Sequence, residues 1–320
     1  MKAKTVTGYR FRPAHMNVAA RIPGIGAFLR TRNGADFVEA TIRSHVEFYD
    51  EIVAVYNQCT DDTPRILERL AAEFAPKIRL YHYTDRVQPL GSRAHAETPG
   101  DHPESMVNYS NFALAQTRHK IAVKLDDDHL AIPARVAEIC ENLRAGRMDR
   151  GVYHCFSGLN LALARDGRLG IPAYEPLSGN GDIGYFEVNE KSRFYHDRRF
   201  ERVGRGGLRR RFSGYLYWHL KFLKSGDGFG NYELADNPDS RFGRKRVAFE
   251  RTALLDLPAA RRAITPSARA LLARGIGGKA GMLINRDAAI TESFPDDSLV
   301  AALDRTSPGW RDLLGIEAHA

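Results

Sequence analysis

Asp126, Asp127 and Asp128 stand side by side at the end of a short apolar run, Ile121-Ala-Val-Lys-Leu125, and His129 follows them. Three adjacent carboxylates repel one another, and such a run is tolerated when a cation neutralises it or water solvates it fully. If the apolar run is a strand in an alternating α/β chain, the acids fall at its carboxyl end, where open α/β sheets place their ligands. Carboxylate oxygens at such a place suit Mg2+ or Mn2+, which keep coordination positions open for substrate phosphates. The competing reading is a solvated turn ahead of a helix beginning near Pro133.

The elements that must position these acids follow from the pattern of the first 130 residues. Ile25–Leu29 reads as a strand and Arg30-Thr31-Arg32-Asn33-Gly34 as the loop leaving it, closed by an Asn-Gly turn signal. Phe37, Val38, Thr41, Ile42, His45 and Val46 recur at helical spacing, and Glu51–Tyr56 is a second, β-branched strand. The loop from Asn57 to Pro64 ends with Thr63 placed to cap a helix and Pro64 at its first position. Ile78–Tyr83 is a third strand, residues 84–105 a polar surface loop, and Met106–Thr117 a helix before the strand that ends at Asp126. This alternation predicts an α/β fold with a mostly parallel sheet and right-handed crossovers.

Beyond Gly151 the alternation fades. Gly151–Phe156 reads as a strand, Gly158–Gly184 as glycine-punctuated loop, and residues 252–275 and 297–315 as helical stretches. We expect a catalytic domain over 20–242, divided into halves at 24–130 and 131–242, and a C-terminal helical appendage over 243–320.

Composition narrows the partners. The 43% hydrophobic content over 320 residues supports a real core. No stretch is apolar enough for a membrane span and no signal-type segment opens the chain, so a cytoplasmic location is expected. Cys59, Cys140 and Cys155 are far apart and form no Cys-x-x-Cys, which argues against a disulfide framework or zinc site. The net charge of +8 points to an anionic partner. Residues 198–211 carry seven arginines against one glutamate, and their glycines predict a mobile loop. Neither zinc-finger spacing nor an aromatic RNA-binding motif accompanies them, so nucleic acid is not expected, whereas a phosphorylated molecule or an anionic membrane surface is.

The order of strands and the residues at their ends resemble the GT-A glycosyltransferases, specifically the inverting family 2 type, over residues 24–130. Arg30-Thr31-Arg32-Asn33 stands at the loop after the family's first strand, and Tyr56-Asn57-Gln58-Cys59-Thr60-Asp61 at the loop after its second. Asn111 fills an expected Asn in the helix before the acidic motif, and Asp126 and Asp128 match the Asp-x-Asp motif with Asp127 between them. The resemblance implies a Rossmann-like sheet, Mn2+ or Mg2+ as cofactor, a nucleotide-sugar donor (a UDP-sugar first), and a saccharide or lipid-linked saccharide acceptor in surface polysaccharide or lipopolysaccharide assembly. It implies that Thr31, Asn57, Asn111, Asp126 and Asp127 meet the nucleotide and that Asp126 and Asp128 ligate the metal. Asn57 departs from the family, which commonly has an acid there; an amide can still read a base because it both donates and accepts. Arg30 and Arg32 also depart, and could grip a diphosphate bidentately, with a solvated basic loop as the competing reading.

An inverting transfer needs a base for the acceptor hydroxyl. The usual Glu-Asp pair is not evident. Asp182, in Ser178-Gly-Asn-Gly-Asp-Ile-Gly184, is the first candidate because neighbouring glycines let it approach substrate, with an ordinary turn aspartate as the competing reading. Glu187 and Glu233 are reserves. In Tyr215-Leu-Tyr217-Trp218-His219-Leu-Lys221-Phe222, His219 could complete the metal shell and Lys221 could meet the nucleotide, although the segment also fits a core helix that buries Tyr217 and Trp218. Two alternatives stay open: a sugar-phosphate nucleotidyltransferase, of whose Gly-rich opening loop Gly24-Ile-Gly26-Ala-Phe-Leu-Arg30 is a poor echo, and a non-catalytic anion-binding protein.

Overall fold

The computed structural model describes residues 2–197 and 200–316. Its first half runs β1 (Lys4–Val6), β2 (Ile22–Thr31), α1 (Val38–His45), β3 (Glu51–Asn57), α2 (Thr63–Glu73), β4 (Ile78–Tyr83), α3 (Arg93–Glu97), α4 (Met106–Ala115) and β5 (His119–Leu125). The second half runs β6 (His129–Ala131), α5 (Pro133–Arg144), β7 (Val152–Leu163), β8 (Leu169–Pro172), β9 (Leu177–Ser178), β10 (Gly184–Glu187), β11 (Ser192–Asp197), β12 (Phe200–Arg205) and β13 (Arg209–Phe222). The chain closes with α6 (Arg241–Glu250), β14 (Leu254–Leu255), α7 (Leu257–Ile264), α8 (Ala268–Leu271), α9 (Gly278–Ala288), α10 (Ile290–Ser293), α11 (Leu299–Thr306) and α12 (Trp310–Leu314).

The main sheet has the order β1-β4-β3-β2-β5-β10-β7-β13-β6. Strands β1 to β5 are parallel, and β10 joins antiparallel to both β5 and β7. The chain steps outward from β2 through β3 to β4, then returns to place β5 on the other side of β2. The order therefore reverses between β2 and β5, and at such a switch point the strand ends open into a crevice. The register pairs Leu29 with Leu125 and Thr31 with Tyr56, so the loops beginning at Arg32, Gln58 and Asp126 leave from one edge.

Both faces of the parallel part are covered, which is why its strands are continuously apolar. Ile25, Ala27 and Leu29 turn to one side, against α1, α2 and α5; Phe28, Val53 and Val55 turn to the other, against α4. A third core joins Leu159, Trp218 and Leu220 of the sheet to Leu257, Phe294, Leu303 and Trp310 of the C-terminal helices. Trp218 is fully buried, and its Nε1 donates to Thr306 Oγ1 at 3.0 Å.

Four expectations are corrected. The segment from Tyr215 to Phe222 belongs to strand β13, because its aromatic residues alternate against β7 and β6. The first part of the Gly158–Gly184 stretch continues β7 to Leu163, and further on it carries β8 and β9. Gly24 to Arg30 lies within β2 and forms no phosphate loop. The arginine-rich stretch is strand rather than mobile loop: β12 pairs with β11 as a hairpin, and β13 begins at Arg209. Arg198 and Arg199 lie outside the described residues. Among the described residues no helix is long and apolar enough to cross a membrane.

Candidate functional site

Asp126, Asp127 and Asp128 occupy the turn between β5 and β6, and open on a cavity of about 1280 Å³ at the switch point. The register of three strands completes the cluster. His129 on β6 pairs across with His219 on β13, which pairs in turn with Asn160 on β7. Cross-strand neighbours point to one face, so these side chains converge on Asp128.

The hydrogen bonds fix the orientation of the His219 ring. Asn160 Nδ2 donates to Glu175 O at 2.7 Å, which turns Asn160 Oδ1 toward His219 Nδ1 at 2.5 Å. Nδ1 therefore donates to Asn160, and Nε2 lies 3.3 Å from Asp128 Oδ1. Nε2 and that oxygen face each other closely enough to share a proton or to hold one metal ion between them. An outer N–H donated to a carbonyl is also how metal-binding histidines are oriented. His129, only 1% exposed, has no hydrogen-bond partner on either ring nitrogen. Burial pushes its pKa down to about 3, so the ring is neutral and free to ligate. Ligand atoms of Asp128, His129 and His219 all lie within 4.8 Å of one another. This donor set fits a divalent ion.

The acids are nonetheless balanced from within the chain, which corrects the expectation that only a metal or water could neutralise them. Lys124 Nζ lies 2.7 Å from Asp126, and Lys224 Nζ lies 2.6 Å from Asp127 and 2.8 Å from Asp128. Burial would raise the Asp126 carboxyl, but the Lys124 ammonium outweighs it and holds the group at about 2. Burial likewise opposes ionisation of Asp128, and Lys224 with His219 pulls it well below the usual carboxylate range. For Asp127 burial prevails over Lys224 and the group is raised. Thr31 Oγ1 donates to Asp127 Oδ2. The segment carrying Lys224 is tied to the loop after β2 by Ser225 N donating to Asp36 Oδ2 at 2.8 Å and by Asn231 Nδ2 donating to Arg32 O.

Other sequence candidates divide clearly. Arg32 lines the cavity, and its buried Nε has no partner. Lys221 lines it too, with Nζ 4.8 Å from the centre of the Phe229 ring; burial lowers its pKa. Asp182 is exposed on the cavity rim, and among the described residues its carboxylate has no ion pair. Arg30, by contrast, is spent on Glu201 at 2.9 Å, tying β2 to β12. Asn57 lies at the cavity wall, but Nδ2 donates to Tyr83 O and Asp85 O, each at 2.6 Å, and Oδ1 accepts Val87 N at 3.1 Å. Its amide holds the loop after β4 instead of facing a ligand. Asn111 lies away from the cavity and exchanges two hydrogen bonds with the Phe194 backbone on β11. Glu187 pairs with Arg150 at 3.5 Å and Glu233 with Arg86 at 3.0 Å, both outside the cavity wall. The sequence reading missed Lys124, Lys224, His129 and Asn160. Lys124 stands two residues before Asp126, the spacing of one strand face; Lys224 lies 96 residues beyond Asp128 and gives no local signal.

No protein-family profile matches the chain. No curated protein matches it either. It is similar in part to solved structures. They include the UDP complex of Staphylococcus aureus TarS (17% identity over 45% of this chain and 37% of that one, TM-score 0.29). The mannosyltransferase PcManGT of Pyrobaculum calidifontis with GDP-Man and Mn2+ is 19% identical over 43% of this chain and 36% of that one, TM-score 0.31. Glucosyl-3-phosphoglycerate synthase of Mycobacterium tuberculosis with Mn2+, UDP and phosphoglyceric acid is 20% identical over 49% and 51%, TM-score 0.29. The similarity thus spans about half or less of each of those chains.

Proposed function

We propose that this chain is a GT-A-type glycosyltransferase that moves a sugar with inversion from a nucleotide-sugar donor to a saccharide hydroxyl. The observation that carries the reading is the cavity itself: a cation-lined space at the sheet's switch point, with Asp128 and His219 on its floor and His129 buried beside them. That combination suits nucleoside diphosphate chemistry. Arg32, Lys221 and Lys224 offer positive charge to a diphosphate, and Thr31 fixes Asp127 beside it. A divalent ion held by Asp128, His129 and His219 would supply charge stabilisation for the leaving diphosphate. In this reading Asp182 accepts the proton as the acceptor oxygen bonds to the anomeric carbon. The bond from that carbon to the diphosphate oxygen breaks, and its electron pair leaves with the nucleotide. A UDP-sugar donor, a saccharide or lipid-linked acceptor, and a setting in surface glycan assembly at the inner membrane face complete the proposal. The partition into residues 20–242 and a helical appendage belongs to it as well.

Calorimetry with Mn2+ and a panel of nucleotide sugars tests this. Mn2+-dependent binding of one of them, with release of free nucleoside diphosphate on turnover, is expected. Release of pyrophosphate would instead make the protein a nucleotidyltransferase, and binding of no nucleotide would end both enzymatic readings.

A further inference from the structure

The same cavity has a wall of a different kind from its acidic floor. Arg205 ends β12, Arg210 follows at the start of β13, and the turn between them passes through Gly206 and Gly207 at φ 63° and 89°. Such angles favour glycine and allow the two arginines to stand close together. Both line the cavity, as does Lys279 of α9. Their hydrogen bonds within the chain go to neutral carbonyls. Arg205 Nη1 donates to Leu208 O at 2.6 Å, and Arg210 Nε donates to Gly181 O at 2.7 Å. Among the described residues none of the three makes an ion pair, although elsewhere in the same cavity Arg30, Lys124 and Lys224 each have a carboxylate. Burial, and then the neighbouring Arg210, lower the pKa of Arg205, so the two guanidiniums press on one another.

Adjacent cations without an acid are costly unless an anion reaches them. Each guanidinium keeps N–H groups free in a fork that matches a phosphate bidentately. A carboxylate would leave this wall with excess positive charge, whereas a phosphate dianion matches the two arginines. The carbonyl that takes Arg210 belongs to Gly181, next to Asp182. Resting on the glycosyl-transfer reading above, we propose that the acceptor carries a phosphate and that Arg205, Arg210 and Lys279 bind it beside Asp182. The phosphate is that of a soluble sugar phosphate or of a lipid phosphate that carries the acceptor saccharide.

The test uses the full chain with saturating Mn2+ and UDP or GDP. Glucose 6-phosphate is titrated against glucose, and undecaprenyl phosphate in detergent micelles against undecaprenol. In at least one pair the phosphorylated probe is expected to bind about tenfold more tightly or better, about 1.4 kcal/mol. The pair that shows it identifies the source. R205Q/R210Q is expected to erase the preference and R205K/R210K to keep most of it, with nucleotide binding and circular dichroism unchanged in both. K279Q, on an exposed side chain, should weaken the preference without touching the β12–β13 turn. Equal binding within both pairs overturns the proposal, and so does a preference that survives in folded R205Q/R210Q. Failure of the wild-type chain to bind either nucleotide is a separate result, which removes the glycosyl-transfer reading on which the proposal rests.

Discussion

The acidic floor and the arginine wall of one cavity carry opposite charge and are stabilised in opposite ways. On the floor, three carboxylates are drawn out of water, and each lies against an ammonium of its own chain, Lys124 for Asp126 and Lys224 for Asp127 and Asp128. A buried charge without a partner costs several kcal/mol, so burial enforces this pairing. On the wall, Arg205 and Arg210 are only partly buried and spend their internal bonds on carbonyls. The floor can therefore stand without a ligand, while the wall's charge is left for something outside the chain. An ion that enters the floor meets Asp128 Oδ1, beside His219, while Lys224 holds Oδ2, so the two cations share one carboxylate.

The largest effect expected anywhere in the cavity is at Asp128. Replacing it with Ala removes the one carboxylate shared by His219, Lys224 and the ion position. Loss of an outer partner alone typically costs 10- to 100-fold in metal affinity, so D128A should lose more than about 100-fold in Mn2+ affinity and in turnover. Mn2+ titration by electron paramagnetic resonance checks this. Undiminished turnover in EDTA would break the comparison, since the floor would then need no ion.

Asn57 separates a structural polar group from a ligand-facing one. N57A leaves Tyr83 O, Asp85 O and Val87 N without their partner, and a buried group left unpaired costs about 1–3 kcal/mol. Chemical denaturation should show a loss of at least that size with donor affinity unchanged. A variant of normal stability that binds donor weakly would return Asn57 to the ligand side of the wall.

How far these distinctions could be read from sequence depends on the range of the interaction. Strands β2 to β5 and the helices between them were legible because apolar periodicity is local, and the strand-end position of Asp126 followed from it. The convergence of His129, His219 and Asn160 was not, because it needs the register of β6, β13 and β7. Lys124 could have been found, since alternation puts it on the same strand face as Asp126. Lys224 could not, because it lies beyond β13 in a segment held by Asp36 and the Arg32 carbonyl. Asn57 misled for a related reason: its position at a strand end was right, but its bonds go to a loop that the sequence leaves unshaped. The arginine-rich stretch read as a loop because its glycines mask a two-stranded pattern.

Lys224 gives an effect of opposite sign on the floor. In K224Q the carboxylates of Asp127 and Asp128 lose their internal cation, so the ion-free protein should melt a few degrees lower. Mn2+ should bind about tenfold more tightly, because the ammonium's positive charge no longer opposes it across Asp128; this corresponds to about 1.4 kcal/mol. Added Mn2+ should restore the melting temperature. Weaker or equal Mn2+ binding in K224Q would show that the Lys224 charge does not oppose the ion.

The smallest effect belongs to Arg209, beside Arg210 in sequence but on the other face of β13 by strand alternation. It lies outside the cavity wall and pairs with Asp149 at 3.2 Å, with the two side chains 79% and 51% exposed. Exposed pairs of this kind contribute about 0–1 kcal/mol. R209Q should therefore change stability by no more than about 0.5 kcal/mol and leave the preference for a phosphorylated probe intact, while R210Q reduces it. The two arginines carry the same charge one residue apart, so general attraction to anions would weaken binding equally in both variants. A difference confined to R210Q would instead place the effect on the cavity face. Equal losses in R209Q and R210Q would reduce the arginine wall to a diffuse positive field, and the contrast with the paired acidic floor would lose its meaning.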